Sequence, residues 1–127
     1  MKAFTDIEQS EKLAEILPIE SADMWWAERY EGHTTMDYQY VLKETPYYYL
    51  SLKKPSIDNY SQDAINDIPC WSLSALLGVI PYGKALIHDK GNLGYKCICN
   101  NMDTYFHDNP IDACVEMILK LHELKML

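Results

Sequence analysis

The spacing of hydrophobic residues near the end of the chain predicts a C-terminal helix over residues 109–127. Asn109 can cap this helix, Pro110 suits its first position, and Asp112 lies in the first turn, where the helix dipole favours an anion. The residues that recur at helical spacing, and that we expect to face the core, are Ile111, Cys114, Val115, Ile118, Leu121 and His122. The pattern therefore predicts a helix that packs one face on a sheet or on another helix.

A second helix is predicted near the N-terminus, over residues 6–17. Thr5 and Glu8 stand at the spacing of a capping box, in which each side chain bonds to the backbone N–H of the other residue. Pro18 would end the helix, because proline has no N–H and clashes with the preceding turn. The partly apolar face of this helix consists of Ile7, Leu13, Ala14, Ile16 and Leu17.

The next part of the chain is rich in tryptophan and tyrosine, which favour strands. Residues 24–29, 38–43 and 47–52 are predicted as three strands. Residues 53–67 contain proline, serine, asparagine and aspartate, and this composition predicts a loop.

A third helix is predicted over residues 71–80. It is capped by Ser72 or begins just after Pro69, and Pro81 ends it. Its buried stripe is predicted to be Leu73, Leu76, Leu77 and Ile80.

Two strand-like segments, residues 85–88 and 95–99, follow this helix. The turn-rich residues 89–94 lie between them and predict a β-hairpin. Residues 104–106 are predicted to add a short strand. Together the elements predict a single α+β domain over residues 1–127, with the N-terminal, middle and C-terminal helices packed on a small, mostly antiparallel sheet.

Composition narrows the classes of function. The net charge of −8 opposes binding to nucleic-acid phosphates or anionic lipid, so we expect neither a nucleic acid nor a membrane as partner. The N-terminus lacks the apolar stretch of a signal peptide, and the longest apolar run, residues 75–81, is too short to cross a bilayer. We therefore expect a cytoplasmic protein whose four cysteines are reduced thiols.

A cluster of cysteine and histidine residues is the strongest candidate for a metal-binding or catalytic site. Cys97 and Cys99 stand two apart on a predicted strand, so both side chains should point to one face. His88 on the facing strand and His107 shortly afterwards could complete a zinc site. The alternative is that both cysteines are small hydrophobic residues packed under a helix, because a zinc knuckle needs two to four residues between its cysteines.

Aromatic residues form the best candidate for a binding surface. Trp25 and Trp26 are adjacent, so on a strand they face opposite sides, and the same holds for Tyr47, Tyr48 and Tyr49. If helices cover one face, the other face still carries tryptophan and tyrosine, which are enriched at protein interfaces. The alternative is a core on both faces. The surface would bind a protein partner or make a homodimer.

Three short sequence segments of the chain resemble those of a known protein family. They are residues 7–10 (IEQS) and 12–13 (KL) with 21–26 (SADMWW), residues 68–77 (IPCWSLSALL), and residues 108–118 (DNPIDACVEMI). With these the chain resembles a family of small uncharacterised proteins from prophages and mobile elements of anaerobic gut bacteria. The resemblance implies an intracellular accessory protein of a mobile element and assigns no site residue.

No phosphate-binding loop or other catalytic motif is present, and no cofactor is expected. The sequence thus favours a non-enzymatic protein-interaction module over an enzyme. The alternative is a small metal-binding protein or enzyme that uses the Cys/His cluster.

Overall fold

The computed structural model describes residues 2–30, 46–51, 68–89, 91 and 93–127. In this part of the chain, three α-helices accompany two antiparallel sheets of three strands each, which confirms the α+β class. The helices are α1 (Ile7–Ala14), α2 (Leu73–Val79) and α3 (Pro110–Glu123), and a short 3-10 helix spans Ile19–Ser21. The strands are β1 (Met24–Tyr30), β2 (Pro46–Ser51), β3 (Ile68–Cys70), β4 (Lys84–Asp89), β5 (Gly94–Cys99) and β6 (Met102–Asp103).

The first sheet has the strand order β2-β1-β3. Trp25 lies opposite Ser51 on one side, and Met24 lies opposite Cys70 on the other. The strands predicted at residues 24–29 and 47–52 are confirmed within one residue at each end. The strand predicted at residues 38–43 and the loop predicted at residues 53–67 lie outside the described residues.

Helix α1 begins one residue later than the predicted capping box. Asp6 is the cap: its carboxylate accepts the N–H of Gln9 at 2.8 Å, and the Gln9 side chain accepts the N–H of Asp6 at 3.1 Å. The predicted pairing of Thr5 with Glu8 is wrong, because Thr5 is fully buried and its hydroxyl contacts Ser10 and the N–H of Trp71. The regular helix ends at Ala14, so the predicted end at residue 17 is also wrong.

Helix α2 spans Leu73–Val79, within the predicted range of residues 71–80, and of the two predicted starts the cap at Ser72 is confirmed. The Ser72 hydroxyl accepts the N–H of Ala75 at 3.2 Å, and Asp23 in turn accepts both the N–H and the hydroxyl of Ser72. In the predicted stripe, Leu76 and Ile80 are buried, and Leu73 and Leu77 are half-buried against the core.

The second sheet has the strand order β4-β5-β6. The predicted hairpin is confirmed, with Leu86 opposite Cys97. The extra strand predicted at residues 104–106 is wrong in position: β6 comes earlier, because Asn100 and Asn101 take positive φ angles of 48° and 70° and form a two-residue turn. After β6 the chain contacts β5 again where the N–H of Thr104 donates to the carbonyl of Cys97 at 3.0 Å, and at an isolated bridge between Tyr95 and His107.

Helix α3 covers one face of the second sheet and confirms the predicted cap. Asn109 accepts the N–H of Asp112 at 2.9 Å, and Pro110 holds the first position. Five of the six predicted core positions are buried; the prediction is wrong for the sixth, His122, which is exposed in the last turn of the helix. The core lies between the three helices and β5. None of the described helices is long and apolar enough to cross a membrane.

Candidate functional site

The two cysteines of β5 face the interior, as strand alternation predicts. Cys97 and Cys99 are fully buried beneath α3, where Cys114 is also fully buried. The hydrogen bond between the Cys97 and Cys114 thiols raises the pKa of Cys114, as burial also does, and lowers the pKa of Cys97. The Cys97 thiol is therefore already paired with Cys114 inside the core.

The two histidines of the predicted metal set are engaged elsewhere. The His88 ring stacks on Tyr95, with the ring centres 4.2 Å apart and the planes 8° apart. Nε2 of His107 lies 2.7 Å from Oε1 of Glu116 on α3. Over residues 2–30, 46–51, 68–89, 91 and 93–127, no three His, Cys, Asp or Glu side chains converge as metal ligands would. The structure therefore does not bring the four predicted residues together.

The two tryptophans of β1 contribute to the packing of this chain. Trp25 is only 8% exposed. Trp26 is half-buried; its indole N–H donates to the carbonyl of Thr5 at 3.0 Å, and its ring meets Phe4 edge-to-face at 5.6 Å. The Trp26 ring thus holds the N-terminal segment against the first sheet. Tyr47, Tyr48 and Tyr49 lie in β2, and their side chains are outside the described part.

A shallow pocket of about 290 Å³ lies between the β6 segment and α3. Asp103, Thr104, Tyr105 and Lys120 line it. Nζ of Lys120 donates to the carbonyl oxygen of Asp103 at 2.9 Å and lies 3.9 Å from the carboxylate of Glu116. The cation of this pocket is therefore already used to join α3 to the sheet.

The strand β4 forms the outer edge of the second sheet. It pairs with β5 on one side, and among the described residues no strand pairs with its other side. An edge strand leaves a row of backbone N–H and C=O groups that another strand can bind. The four central residues of β4, Ala85 to His88, include no acidic residue, lysine or arginine, and three of them are exposed.

The charged side chains at the two ends of β4 do not protect this edge from pairing, because both are bound elsewhere in the chain. Nζ of Lys84 turns back to the end of α2 and donates to the carbonyl oxygens of Ile80, at 2.9 Å, and Leu77. The carboxylate of Asp89 accepts the N–H of Gly91 at 3.2 Å within the hairpin turn. Proteins commonly protect an edge strand with a lysine or another charge in its middle. Strand β4 has no such protection.

The outer face of the second sheet adds apolar surface to this edge. The register places Ala85 opposite Ile98 and Ile87 opposite Lys96, on the face opposite Cys97 and α3. Ile87 is 37% exposed, and Tyr82, just before the strand, is 97% exposed. We call β4 with Tyr82, Ala85, Ile87 and Ile98 the β4 surface.

Sequence reasoning did not identify the β4 surface. The hairpin was predictable, but which of its strands lies at the edge depends on β6 and the position of α3. Residues 84–89 lack a central charge, but this local pattern does not distinguish an unprotected edge strand from a central strand.

Comparisons of the chain with protein-family models, with curated proteins and with solved structures find no match.

Proposed function

We propose that this protein is a non-enzymatic interaction module, an accessory protein of a mobile element, that binds protein by accepting a strand at β4. The observation that carries the proposal is the unguarded edge, whose central residues are exposed and uncharged while Lys84 is bound to α2. The mobile-element setting rests on the resemblance of the three sequence stretches described above.

Strand addition would use two kinds of contact. Backbone N–H and C=O groups of β4 would pair with an extended partner and supply affinity. Side chains on the outer face, Ala85 and Ile87, would contact alternate residues of the added strand and supply specificity. Tyr82, exposed at the start of the strand, would cover one end of the partner.

The proposal moves the expected interface from the tryptophans to the second sheet. Trp25 and Trp26 already pack within the chain, so little of their surface remains for a partner. Exposed apolar residues are more informative about binding when they adjoin an open strand edge, because the edge also supplies unpaired backbone groups.

A photo-crosslinking amino acid at position 82 tests the proposal in the cells that produce the protein. We expect crosslinks from this position to a protein, and we expect the additional change Ile87→Lys to abolish them, because it places a charge in the middle of the edge. Ile19→Lys is the matched control, since Ile19 is a similarly exposed isoleucine in the 3-10 helix outside the second sheet. No protein crosslink, or crosslinks that Ile87→Lys leaves unchanged, would overturn the proposal.

A further inference from the structure

We infer that Cys97 of β5 and Cys114 of α3 form an oxidation site, at which a peroxide converts the two thiols into one disulfide that joins the helix to the sheet. Both side chains are fully buried where α3 packs on β5, and their thiols are hydrogen-bonded to each other. The inference does not depend on the proposed function, because neither cysteine belongs to the β4 surface.

The contacts of Cys99 distinguish it from Cys97 on the same strand. Both cysteines lie on the same face of β5 and both are fully buried. The sulfur of Cys99, however, lies 3.9 Å from the carbonyl oxygen of Pro81 and 4.0 Å from that of Tyr82. Cys99 therefore contacts backbone oxygens, whereas Cys97 has the thiol of Cys114 as its partner.

The backbone is held in place on both sides of the thiol pair. The N–H of Cys97 donates to the Thr104 hydroxyl and its carbonyl oxygen accepts the N–H of Thr104, both at 3.0 Å. Half a turn beyond Cys114, the carboxylate of Glu116 lies 2.7 Å from Nε2 of His107. A disulfide needs two backbones that already lie close together, and these contacts keep the first half of α3 against β5.

The hydrogen bond gives the two thiols different roles in the oxidation. It lowers the pKa of Cys97 and raises that of Cys114, so Cys97 supplies the thiolate. This thiolate attacks one oxygen of hydrogen peroxide, the O–O bond breaks, and the leaving hydroxide takes up the proton that Cys97 released. The Cys114 sulfur then attacks the sulfur of the Cys97 sulfenic acid, the S–O bond breaks, and the second hydroxide leaves as water with the Cys114 proton. Two thiols and one peroxide thus give one disulfide and two waters, and the sulfurs lose two electrons.

Burial restricts the oxidant and makes the reaction slow. Both thiols are fully buried, so an oxidant reaches them only when the packing of α3 on β5 opens locally. Hydrogen peroxide is not much larger than water and needs a smaller opening than a bulky disulfide reagent does. We therefore expect a slow response to sustained peroxide rather than a rapid one.

Peroxide treatment of the purified full-length protein tests the inference. After the peroxide is removed, the remaining thiols are alkylated in guanidinium chloride and the protein is analysed by mass spectrometry. We expect two of the four cysteines to escape alkylation, and a peptide map that joins residues 97 and 114. Cys114→Ser should form no disulfide, whereas the matched control Cys99→Ser should form the same disulfide as wild type. Circular dichroism checks that both variants remain folded.

The disulfide should also stabilise the fold. We expect the midpoint of thermal unfolding to rise by roughly 5–10 °C, because the bond closes a loop and lowers the entropy of the unfolded chain. A dithiol reductant should restore the four thiols and the original midpoint. Four free thiols after prolonged treatment, single cysteines oxidised to sulfinic or sulfonic acid without a disulfide, or a disulfide that also forms in Cys114→Ser would overturn the inference.

Discussion

Nζ of Lys84, at the start of β4, lies 2.9 Å from the carbonyl oxygen of Ile80, just after the end of α2. The same ammonium group donates to the carbonyl of Leu77. The last carbonyls of a helix have no partner within the helix and carry partial negative charge, so a lysine amine stabilises them. One contact therefore caps a helix and, at the same time, removes the cation from the strand edge that we propose as the binding surface.

We expect Lys84→Met to lower the free energy of unfolding by about 1 kcal/mol, because it leaves two helix-end carbonyls without their charged donor. Urea unfolding of the two proteins measures this difference. Lys125→Met is the control, since Lys125 is exposed beyond α3, and we expect a change within about 0.5 kcal/mol. Equal effects of the two substitutions would contradict the capping role.

The Thr5 hydroxyl joins the N-terminal segment to the first residues after β3. It is fully buried, lies 2.7 Å from the Ser10 hydroxyl and accepts the N–H of Trp71 at 3.1 Å. Thr5→Val keeps the shape but leaves these groups without a partner, so we expect a loss of about 1–3 kcal/mol in the free energy of unfolding. Thr5→Ser keeps the hydroxyl and should cost less; a greater loss for serine than for valine in urea unfolding would contradict this account.

This buried hydroxyl also shows where sequence reasoning fails. Ser72 and Asn109 were predictable as caps, because each needs only its own side chain and the N–H three residues later. Thr5 has the same local signal but contacts Trp71, which is distant in the chain, and Asp6 takes over the cap. Local rules predict a cap correctly unless a long-range contact uses the same oxygen.

The candidate functional site likewise has features that local sequence patterns predict and features that depend on long-range contacts. Burial of Cys97 and Cys99 on one face could be predicted from strand alternation. The positions of His88, on Tyr95, and His107, on Glu116, could not, because both contacts depend on how β4 and α3 meet β5. The open edge of β4 likewise belongs to the order of strands, which no local pattern specifies.

The acid stability of the protein should depend on Asp112. Partial burial by itself would raise the pKa of Asp112, but hydrogen bonds from Lys2, Gln9 and Asn109 outweigh burial and hold the pKa below its ordinary value of 3.8. An acid with a lowered folded pKa stabilises the fold fully above its unfolded pKa, and this stabilisation is lost as the pH falls through the folded value.

We therefore expect the free energy of unfolding to fall below about pH 4, and Asp112→Asn to reduce this fall, since asparagine does not titrate. Lys2→Met should reduce it too, because the substitution removes the ammonium group 2.9 Å from the carboxylate. Urea unfolding over a series of acidic pH values measures the slope. The same slope for wild type and Asp112→Asn would show that this carboxylate does not carry the effect.

The four cysteines should react slowly with thiol reagents while the protein is folded. All four thiols are buried, burial raises the pKa of Cys70, and the hydrogen bond to Cys97 together with burial raises that of Cys114. The thiolate is the nucleophile that attacks a thiol reagent, so the lack of access slows the reaction of all four cysteines, and the raised pKa slows that of Cys70 and Cys114 further. The hydrogen bond with Cys114 lowers the pKa of Cys97, so burial alone protects that thiol. We expect no rapid modification by a disulfide reagent at mildly alkaline pH and complete modification in concentrated guanidinium chloride. A rapidly reacting thiol in the native protein would contradict this packing.

Replacement of two glycines by alanine should change the free energy of unfolding in opposite directions. Gly94 has a φ of +93°, and a Cβ there would lie 2.1 Å from the carbonyl oxygen of His107, which already accepts the N–H of Tyr95 at 2.7 Å. We expect Gly94→Ala to lower the free energy of unfolding by about 2–3 kcal/mol, because both the backbone and the bridge to residue 107 must shift. Gly78, in α2, has open space around its Cβ position.

Gly78→Ala should therefore raise the free energy of unfolding by about 0.5–1 kcal/mol, since alanine favours the helix and meets no obstacle. Thermal and urea unfolding of the two variants beside wild type measure both changes, with each variant serving as the control for the other. A loss at position 78 would mean that α2 is packed more tightly there than the structure has it. An unchanged stability at position 94 would mean that residue 107 does not lie against the start of β5.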